Sequence, residues 1–179
     1  MAPETVILAE DEASLYLQAT TMRVWHPCGQ TPVIHLSPNR ESTHFYAALN
    51  LQTGKETVMR SPMMNGATTI LFLLMLLAAY PLQPILLLWD RAPWHRSKLV
   101  KTFLHNNPQL EILWLPPAAP ELNPQEHVWK ATREAVSHNH AMPKLDQLAD
   151  AFQAHLNNAT FPCSLLDLHN YSYLCMMSK

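Results

Sequence analysis

The sequence has few glycines and few cysteines, and each shortage excludes a class of protein. Three glycines stand against 15 prolines in 179 residues, so few backbone positions can take a positive φ without strain and the loops should be stiff. The three cysteines, Cys28, Cys163 and Cys175, form no CxxC pair, which argues against a disulfide framework or a zinc ribbon. This usage fits a reducing, cytoplasmic setting.

Charge is also scarce, and long apolar runs are lacking. Charged residues make up 15% of the chain and the formal net charge is −2, whereas a stand-alone DNA-binding domain is normally basic. No signal peptide is predicted, because no basic segment followed by an apolar one opens the chain. The most apolar run, residues 70 to 79, is ten residues long, and a membrane span needs about 20. We therefore predict a buried core helix there and no membrane segment.

Apolar residues make up 48% of the chain, which predicts one globular domain over residues 1–179. Short apolar runs alternate with helical patterns, which is typical of an α/β fold. A hairpin-like insertion is predicted over residues 15–36, after the first strand. The predicted strands cover residues 5–9, 44–49, 56–59, 85–89 and 110–115. The predicted helices cover residues 66–80, 97–106 and 144–157, and another begins at Pro124. Three antiparallel strands followed by two crossover strands would make a mixed five-stranded sheet flanked by helices.

Three acidic residues lie where predicted strands end or a helix begins. Asp90 directly follows the apolar run 85–89, Asp11 lies at or just past the end of the first strand, and Glu126 falls in the first turn of the helix after the last strand. The carboxyl ends of strands in open α/β sheets line the crevice where ligands bind. Three carboxylates meeting there would form a hard oxygen site suited to Mg²⁺ or Mn²⁺.

Two of these acids could instead have a purely structural role, and the residues alone do not decide between that role and metal binding. Asp90 is a residue type that commonly begins the turn into a helix. Glu126 fits a capping box, with Asn123 as the N-cap, Pro124 at the first helical position and Lys130 one turn further on. The spacing by itself favours the cap for Glu126.

The first strand carries three consecutive acids. Alternation along a strand places Asp11 on one face and Glu10 and Glu12 on the other. The pattern does not determine which face meets a metal ion, so Glu12 stays open as an alternative to Asp11.

Four segments, taken in order, resemble the catalytic domain of DDE transposases of bacterial insertion sequences related to mariner elements. They are AEDE (9–12), WHPCGQTP (25–32), WDRAPWH (89–95) and LPPAAPELNPQEHVW (115–129). The resemblance covers most of residues 5–137, and the 35 residues between Asp90 and Glu126 are similar to the family's spacing. It implies a ribonuclease-H-like fold and a metal-binding triad of Asp11, Asp90 and Glu126. One departure is Arg91, where the family usually has asparagine.

By the same resemblance, the chain is an enzyme that uses two Mg²⁺ or Mn²⁺ ions to cleave DNA at transposon ends and to transfer the cut strand into target DNA. Its expected partners are double-stranded DNA, a second copy in a homodimer or other self-association, and a helix-turn-helix DNA-binding module in cis or trans, which the sequence itself lacks. The expected location is the bacterial cytoplasm. The side chains expected to contact nucleic acid are Arg91, His95, Lys98, Lys130 and Arg133.

Two other functions are compatible with the same residues. The chain could be a metal-dependent, ribonuclease-H-like nuclease that cuts without joining strands. It could also be an inactive, truncated transposase remnant that acts only by association with other subunits.

Overall fold

A computed structural model describes residues 4–20, 28–29, 33 and 41–162. Nine strands and helices make up the ordered framework of this part of the chain. They are β1 (Val6–Tyr16), β2 (Ser42–Asn50), β3 (Glu56–Ser61), α1 (Gly66–Ala79), β4 (Ile85–Trp89), α2 (Lys98–Asn106), β5 (Leu110–Trp114), α3 (Pro124–Thr132) and α4 (Leu145–Asn158). A 3₁₀ turn (Pro120–Leu122) precedes α3 and a π-helical turn (Arg133–Ser137) follows it.

The five strands form one sheet in the order β3-β2-β1-β4-β5. β1 pairs antiparallel with β2, and β2 with β3, while β4 lies parallel to both β1 and β5. Parallel neighbours need crossover connections, which α1 and α2 supply. The predicted mixed sheet with flanking helices, the ribonuclease-H-like arrangement, is confirmed.

The first strand is longer than predicted. It was expected to cover residues 5–9, but it continues to Tyr16 because β2 pairs with it over the whole stretch from Leu8 to Tyr16. The parallel pairing with β4 stops at Ala9, so the second half of β1 has a ladder partner on one side. The hairpin-like insertion predicted over residues 15–36 falls mostly outside the described residues, and its first two residues belong to β1.

The sheet is covered on both faces. Alternate strand residues such as Leu8, Leu87 and Trp89 pack against α1 and α2, on what we call the α1/α2 face. The residues between them, such as Ala9 and Leu88, pack against α3 and α4, on the α3/α4 face. This two-sided burial is why the strands read as continuous apolar runs in the sequence.

Helix α1 is only partly the buried core helix that was predicted. Four of its residues, Thr69, Phe72, Leu73 and Leu76, are buried, while Leu71 is 58% exposed and Leu74 is 47% exposed. A helix that covers one face of a sheet contacts it along a single stripe, so the opposite side of an apolar helix stays outside the core. Within the described residues, no helix is both long and apolar enough to cross a membrane.

The π-helical turn after α3 changes which side chains face inward. The regular helical pattern places Ala135 inside and Ser137 outside, yet Ser137 is buried and Ala135 is exposed. A π turn contains more residues than an α turn, so the side chains that follow are rotated about the axis.

A buried carboxyl group lies beneath α3. Gln125 Nε2 donates to Glu56 Oε2 over 3.3 Å, and Glu56 Oε1 is enclosed without a hydrogen-bond partner among the described residues. Burial raises the pKa of Glu56 to about 8, and the hydrogen bond from Gln125 offsets only part of that rise.

Glu56→Gln should therefore flatten the dependence of stability on pH. In the wild type, the folded state keeps a proton that the unfolded chain releases above its ordinary pKa, so stability falls as pH rises from about 5 to about 8. Glutamine cannot titrate, so the variant should not show this fall in the free energy of unfolding, which in the wild type is of the order of 3 kcal/mol between pH 5 and pH 8. Urea unfolding at pH 5 and pH 8 measures it, with Glu111→Gln, at an exposed glutamate of β5, as the control. Parallel pH dependences for the wild type and Glu56→Gln would contradict the assignment.

Candidate active site

The three acids singled out in the sequence line one cleft. The cleft has a volume of about 470 Å³ and lies on the α3/α4 side of the sheet, where β1 and β4 meet the start of α3. Asp11, Asp90 and Glu126 form its acidic part, and Arg91 and Arg96 are also at its edge. The stiff loop before α3, residues 115–120, makes the opposite wall.

Strand register brings Asp11 and Asp90 to the same level. Ala9 pairs with Leu88 at the last parallel position of β1 and β4. Asp11 and Asp90 each lie two residues beyond this pair, so both side chains point to the α3/α4 face. Although β4 ends at Trp89, β1 continues, and Asp11 therefore lies within a strand and not at its end.

Glu126 reaches the cleft because of how α3 begins. The Asn123 side chain accepts from Gln125 N–H at 3.1 Å, and Pro124 fills the first helical position. The Asn123 N–H donates to the Pro120 carbonyl at 2.9 Å, so the reciprocal bond of a capping box from Asn123 to Glu126 is not made. The capping alternative for Glu126 is therefore wrong, and its exposed carboxylate faces the cleft.

Asp11 is destabilised as an isolated anion. Burial raises its pKa to about 7, together with the nearby carboxylates of Glu126, Glu12 and Asp90. Trp129 Nε1 donates to Asp11 Oδ2 at 3.1 Å and fixes the carboxylate against α3. A divalent cation would relieve the repulsion among these acids, so the donor set fits a hard metal ion.

Asp90 is held in its ionised form. Burial alone would raise its pKa, but the His95 side chain and the Ala92 N–H lower it below its ordinary value. His95 Nδ1 lies 2.7 Å from Asp90 Oδ1, and the Ala92 N–H donates to the same oxygen at 2.9 Å. The Asp90 side chain is still 45% exposed.

His95 was predicted to contact nucleic acid, and its burial contradicts that role. It has no exposed surface, and its Nε2 lies 2.8 Å from Glu12 Oε1. The Trp89 ring stacks on it with centroids 4.0 Å apart. Burial alone would lower the pKa of His95, but the contacts with Asp90 and Glu12 raise it to about 10. An imidazolium enclosed in this way cannot reach a DNA phosphate.

Glu12, the alternative to Asp11, lies on the opposite face of β1. Its Oε1 accepts from Trp94 Nε1 at 2.9 Å and contacts His95. Glu10 is on the same face and fully buried, and burial followed by repulsion from Glu12 raises its pKa well above the ordinary value. Ligating atoms of Glu10, Glu12 and His95 lie within 4.8 Å of one another. As the imidazolium that its raised pKa favours, His95 carries a proton on each ring nitrogen and has no lone pair to offer a metal.

The other side chains predicted to contact nucleic acid lie either in the cleft or outside it. Arg91 lines the cleft, and its Nε donates to the Leu115 carbonyl at 3.0 Å, which ties the end of β4 to the loop before α3. Lys98 and Lys130 are exposed on α2 and α3 but do not line the cleft. Arg133 lies in the π-helical turn, also outside the cleft. Arg96 lines the cleft but was not among the predicted contacts, although its place between Arg91 and Lys98, in the most basic part of the sequence around the site, was the available signal.

Comparison with known proteins gives one family and several relatives. The family described as DDE superfamily endonuclease matches residues 6–149. An uncharacterized 39 kDa protein of insertion element IS630 from Shigella sonnei is 26% identical over 146 residues, which cover 81% of this chain and 43% of that protein. The Tcb2 transposase of Caenorhabditis briggsae is 33% identical over 81 residues, or 44% of this chain and 27% of that protein. The chain thus spans less than half the length of these curated relatives.

Solved structures share the fold. The Mos1 mariner paired-end complex with Mn superposes with a TM-score of 0.68 at 16% identity, covering 96% of this chain and 55% of that one. The catalytic domain of Mos1 mariner transposase gives a TM-score of 0.60 at 14% identity, with 86% and 70% covered. At these identities the likeness concerns the arrangement of strands and helices.

Proposed function

Because the chain belongs to the DDE superfamily endonucleases, we propose that it is the catalytic part of a DNA transposase that cleaves transposon ends and transfers the strand into target DNA. The observation that carries the proposal is the single cleft lined by Asp11, Asp90 and Glu126. β1, the residue after β4 and the start of α3 contribute one carboxylate each, and Asp11 is destabilised as an anion by burial first and then by the neighbouring acids, among them Glu126 and Asp90. Such an arrangement costs free energy unless a cation binds.

The three carboxylates are proposed to hold two Mg²⁺ or Mn²⁺ ions. Structures of the related Mos1 paired-end complex contain Mg or Mn, and carboxylate oxygens are the ligands these ions prefer. Bound metal ions would supply the positive charge that activates the attacking oxygen and stabilises the leaving oxygen of a phosphodiester. The protein's part is to fix the three carboxylates, through the β1–β4 register, the start of α3 and the Trp129 hydrogen bond.

Arg91 and Arg96 are proposed to meet the DNA backbone at the cleft. Both are exposed beside the acids, and guanidinium groups suit phosphate oxygens. Arg91 donates through Nε to the Leu115 carbonyl, a bond that does not use the two terminal nitrogens of the guanidinium. Lys98, Lys130 and Arg133 are proposed to add weaker, salt-sensitive contacts outside the cleft.

The net charge of the chain indicates that it needs a partner to bind DNA. With a net charge of −2, the chain neutralises too few phosphates to hold DNA tightly by itself. We propose that a helix-turn-helix module, in cis or in trans, supplies the affinity and that two copies act together on two transposon ends.

The test is a plasmid cleavage assay with the full chain fused to a sequence-specific DNA-binding domain, so that the substrate is delivered. We expect cleavage of a plasmid carrying the cognate site with Mg²⁺ or Mn²⁺, none with EDTA, and none with Asp90→Asn. Joined products would separate a transposase from a nuclease that only cuts. Metal-independent cleavage, or full activity of Asp90→Asn, would contradict the proposal.

A further inference from the structure

We propose that His95 and Glu12 act together as positioning residues for Asp90, holding its Oδ1 from behind the sheet so that Oδ2 is directed to the metal ions. The inference rests on the proposed function of the cleft. It gives a task to two residues that lie on the far side of β1 and β4 from the cleft acids and that the proposed chemistry does not otherwise use.

The geometry of His95 carries the inference. The ring lies between two carboxylates, with Nδ1 2.7 Å from Asp90 Oδ1 and Nε2 2.8 Å from Glu12 Oε1. Its face is stacked on Trp89, and the edge-on ring of Trp94 lies 5.8 Å away. The hydrogen bond from Nε2 to Glu12 and the stacking on Trp89 hold the buried ring in place. Nδ1 approaches Asp90 Oδ1 as a close ionic contact without making a well-directed hydrogen bond, and the position of the ring therefore determines where the contacted Asp90 oxygen lies.

Asp90 needs such support because it stands outside regular structure. β4 ends at Trp89, so no strand ladder fixes Asp90, and its side chain is half exposed to the cleft. The Ala92 N–H and His95 both approach Oδ1. Two contacts on one oxygen leave the other free to bind metal, and outer contacts of this kind orient the ligands of metal centres.

Glu12 completes the chain of contacts from the α1/α2 face. Its Oε1 accepts from Trp94 Nε1 at 2.9 Å as well as contacting His95 Nε2. Glu12 stands on β1 beside Asp11, so the strand that carries one cleft acid also fixes the support of another. To hold His95, residue 12 needs an oxygen that accepts from His95 Nε2 and Trp94 Nε1, and the amide oxygen of a glutamine can also accept both bonds.

Mn²⁺ binding, followed by electron paramagnetic resonance of the free ion, tests the inference without any cleavage reaction. His95→Gln should weaken Mn²⁺ binding by about 10- to 100-fold, the range found for outer-sphere partners of metal ligands. His44→Gln is the matched control, because His44 bonds to Ser14 on the neighbouring strand pair, away from the cleft. Melting temperatures of both variants would show that the weakened binding is measured on folded protein.

Glu12 provides a second, independent pair of variants. Glu12→Gln should keep Mn²⁺ affinity within about threefold, since its amide oxygen still accepts from His95 and Trp94, whereas Glu12→Ala should lose about tenfold or more. NMR of the metal-free protein adds a structural measurement: the His95 ring N–H protons should be protected from exchange in the wild type and in Glu12→Gln, but not in Glu12→Ala.

The outcomes separate the two proposals. Wild-type Mn²⁺ affinity in folded His95→Gln, or equal affinities for Glu12→Gln and Glu12→Ala, would overturn the positioning role. Wild-type protein with protected His95 ring protons that binds no Mn²⁺ would contradict the proposed function of the cleft, while the contact between His95 and Asp90 would stand.

Discussion

Glu126→Gln should abolish metal-dependent cleavage and leave the fold intact. A neutral amide is a poorer ligand for a hard cation and cannot offset its charge, so the cleft loses a ligand. Glutamine has almost the same shape, and Glu126 makes no capping-box bond that it would have to replace, because the Asn123 N–H is bonded to Pro120. Stability should therefore change by less than about 0.5 kcal/mol.

The measurement combines cleavage and urea unfolding on one preparation of the fused protein. Glu121→Gln is the matched control, since Glu121 is exposed in the 3₁₀ turn immediately before α3 and does not line the cleft. It should cleave like the wild type. Wild-type cleavage by Glu126→Gln would remove Glu126 from the triad. A second expected change in Glu126→Gln is a lower pKa for Asp11, because the neighbouring Glu126 charge is one cause of its rise.

Trp129 links stability to the site, and its truncation should have the largest effect on folding. Its ring is 1% exposed in the core of the α3/α4 face and stacks with Phe152. Trp129→Ala should destabilise the protein by about 3 to 5 kcal/mol, as the loss of a large buried aromatic does. Thermal and urea unfolding would measure this loss, and a change below about 1 kcal/mol would contradict the packing described for α3.

Trp129→Phe separates packing from positioning. Phenylalanine keeps an aromatic ring in the core but removes the indole N–H that binds Asp11 Oδ2. We expect a folded protein with about tenfold weaker Mn²⁺ binding, because an outer contact to a metal ligand is lost. Phe152→Leu is the control, because it disturbs the ring packed against Trp129 in the core but keeps the indole N–H. Equal Mn²⁺ affinity in the two variants would show that the indole N–H has no part in the site.

Most of the sheet could be predicted from the sequence, because each buried strand is marked by the composition of its own short segment. Strands buried on two faces appear as apolar runs, and β2, β3, β4 and β5 were predicted within two residues of their ends. β1 was predicted too short because its apolar run ends at Ala9, where three consecutive acids begin. Only its long-range pairing with β2 and the partners supplied by His95, Trp94 and Trp129 make a strand of this composition stable.

The three acids of the site could be predicted from the sequence, but the contacts around them could not. The family resemblance selects Asp11, Asp90 and Glu126, between alternatives that the spacing alone leaves open, and the fold brings them to one cleft. Neither could show that His95 is turned inward, since a histidine five residues after an acid fits a surface loop equally well. The choice between cap and cleft for Glu126 depended on one backbone bond, from Asn123 to Pro120, which no sequence pattern specifies.

The central strand β1 has no freedom to gain or lose a residue. Glu10, Asp11 and Glu12 alternate between its two faces, with one carboxylate in the cleft and two buried on the α1/α2 face. Deleting one residue between Val6 and Glu10 would reverse every side chain that follows. Two carboxylates would then enter the cleft and Asp11 would lie against Trp89 and His95. Over evolution, insertions and deletions within β1 should therefore be eliminated even where a single substitution is accepted, so that its length is preserved longer than its sequence.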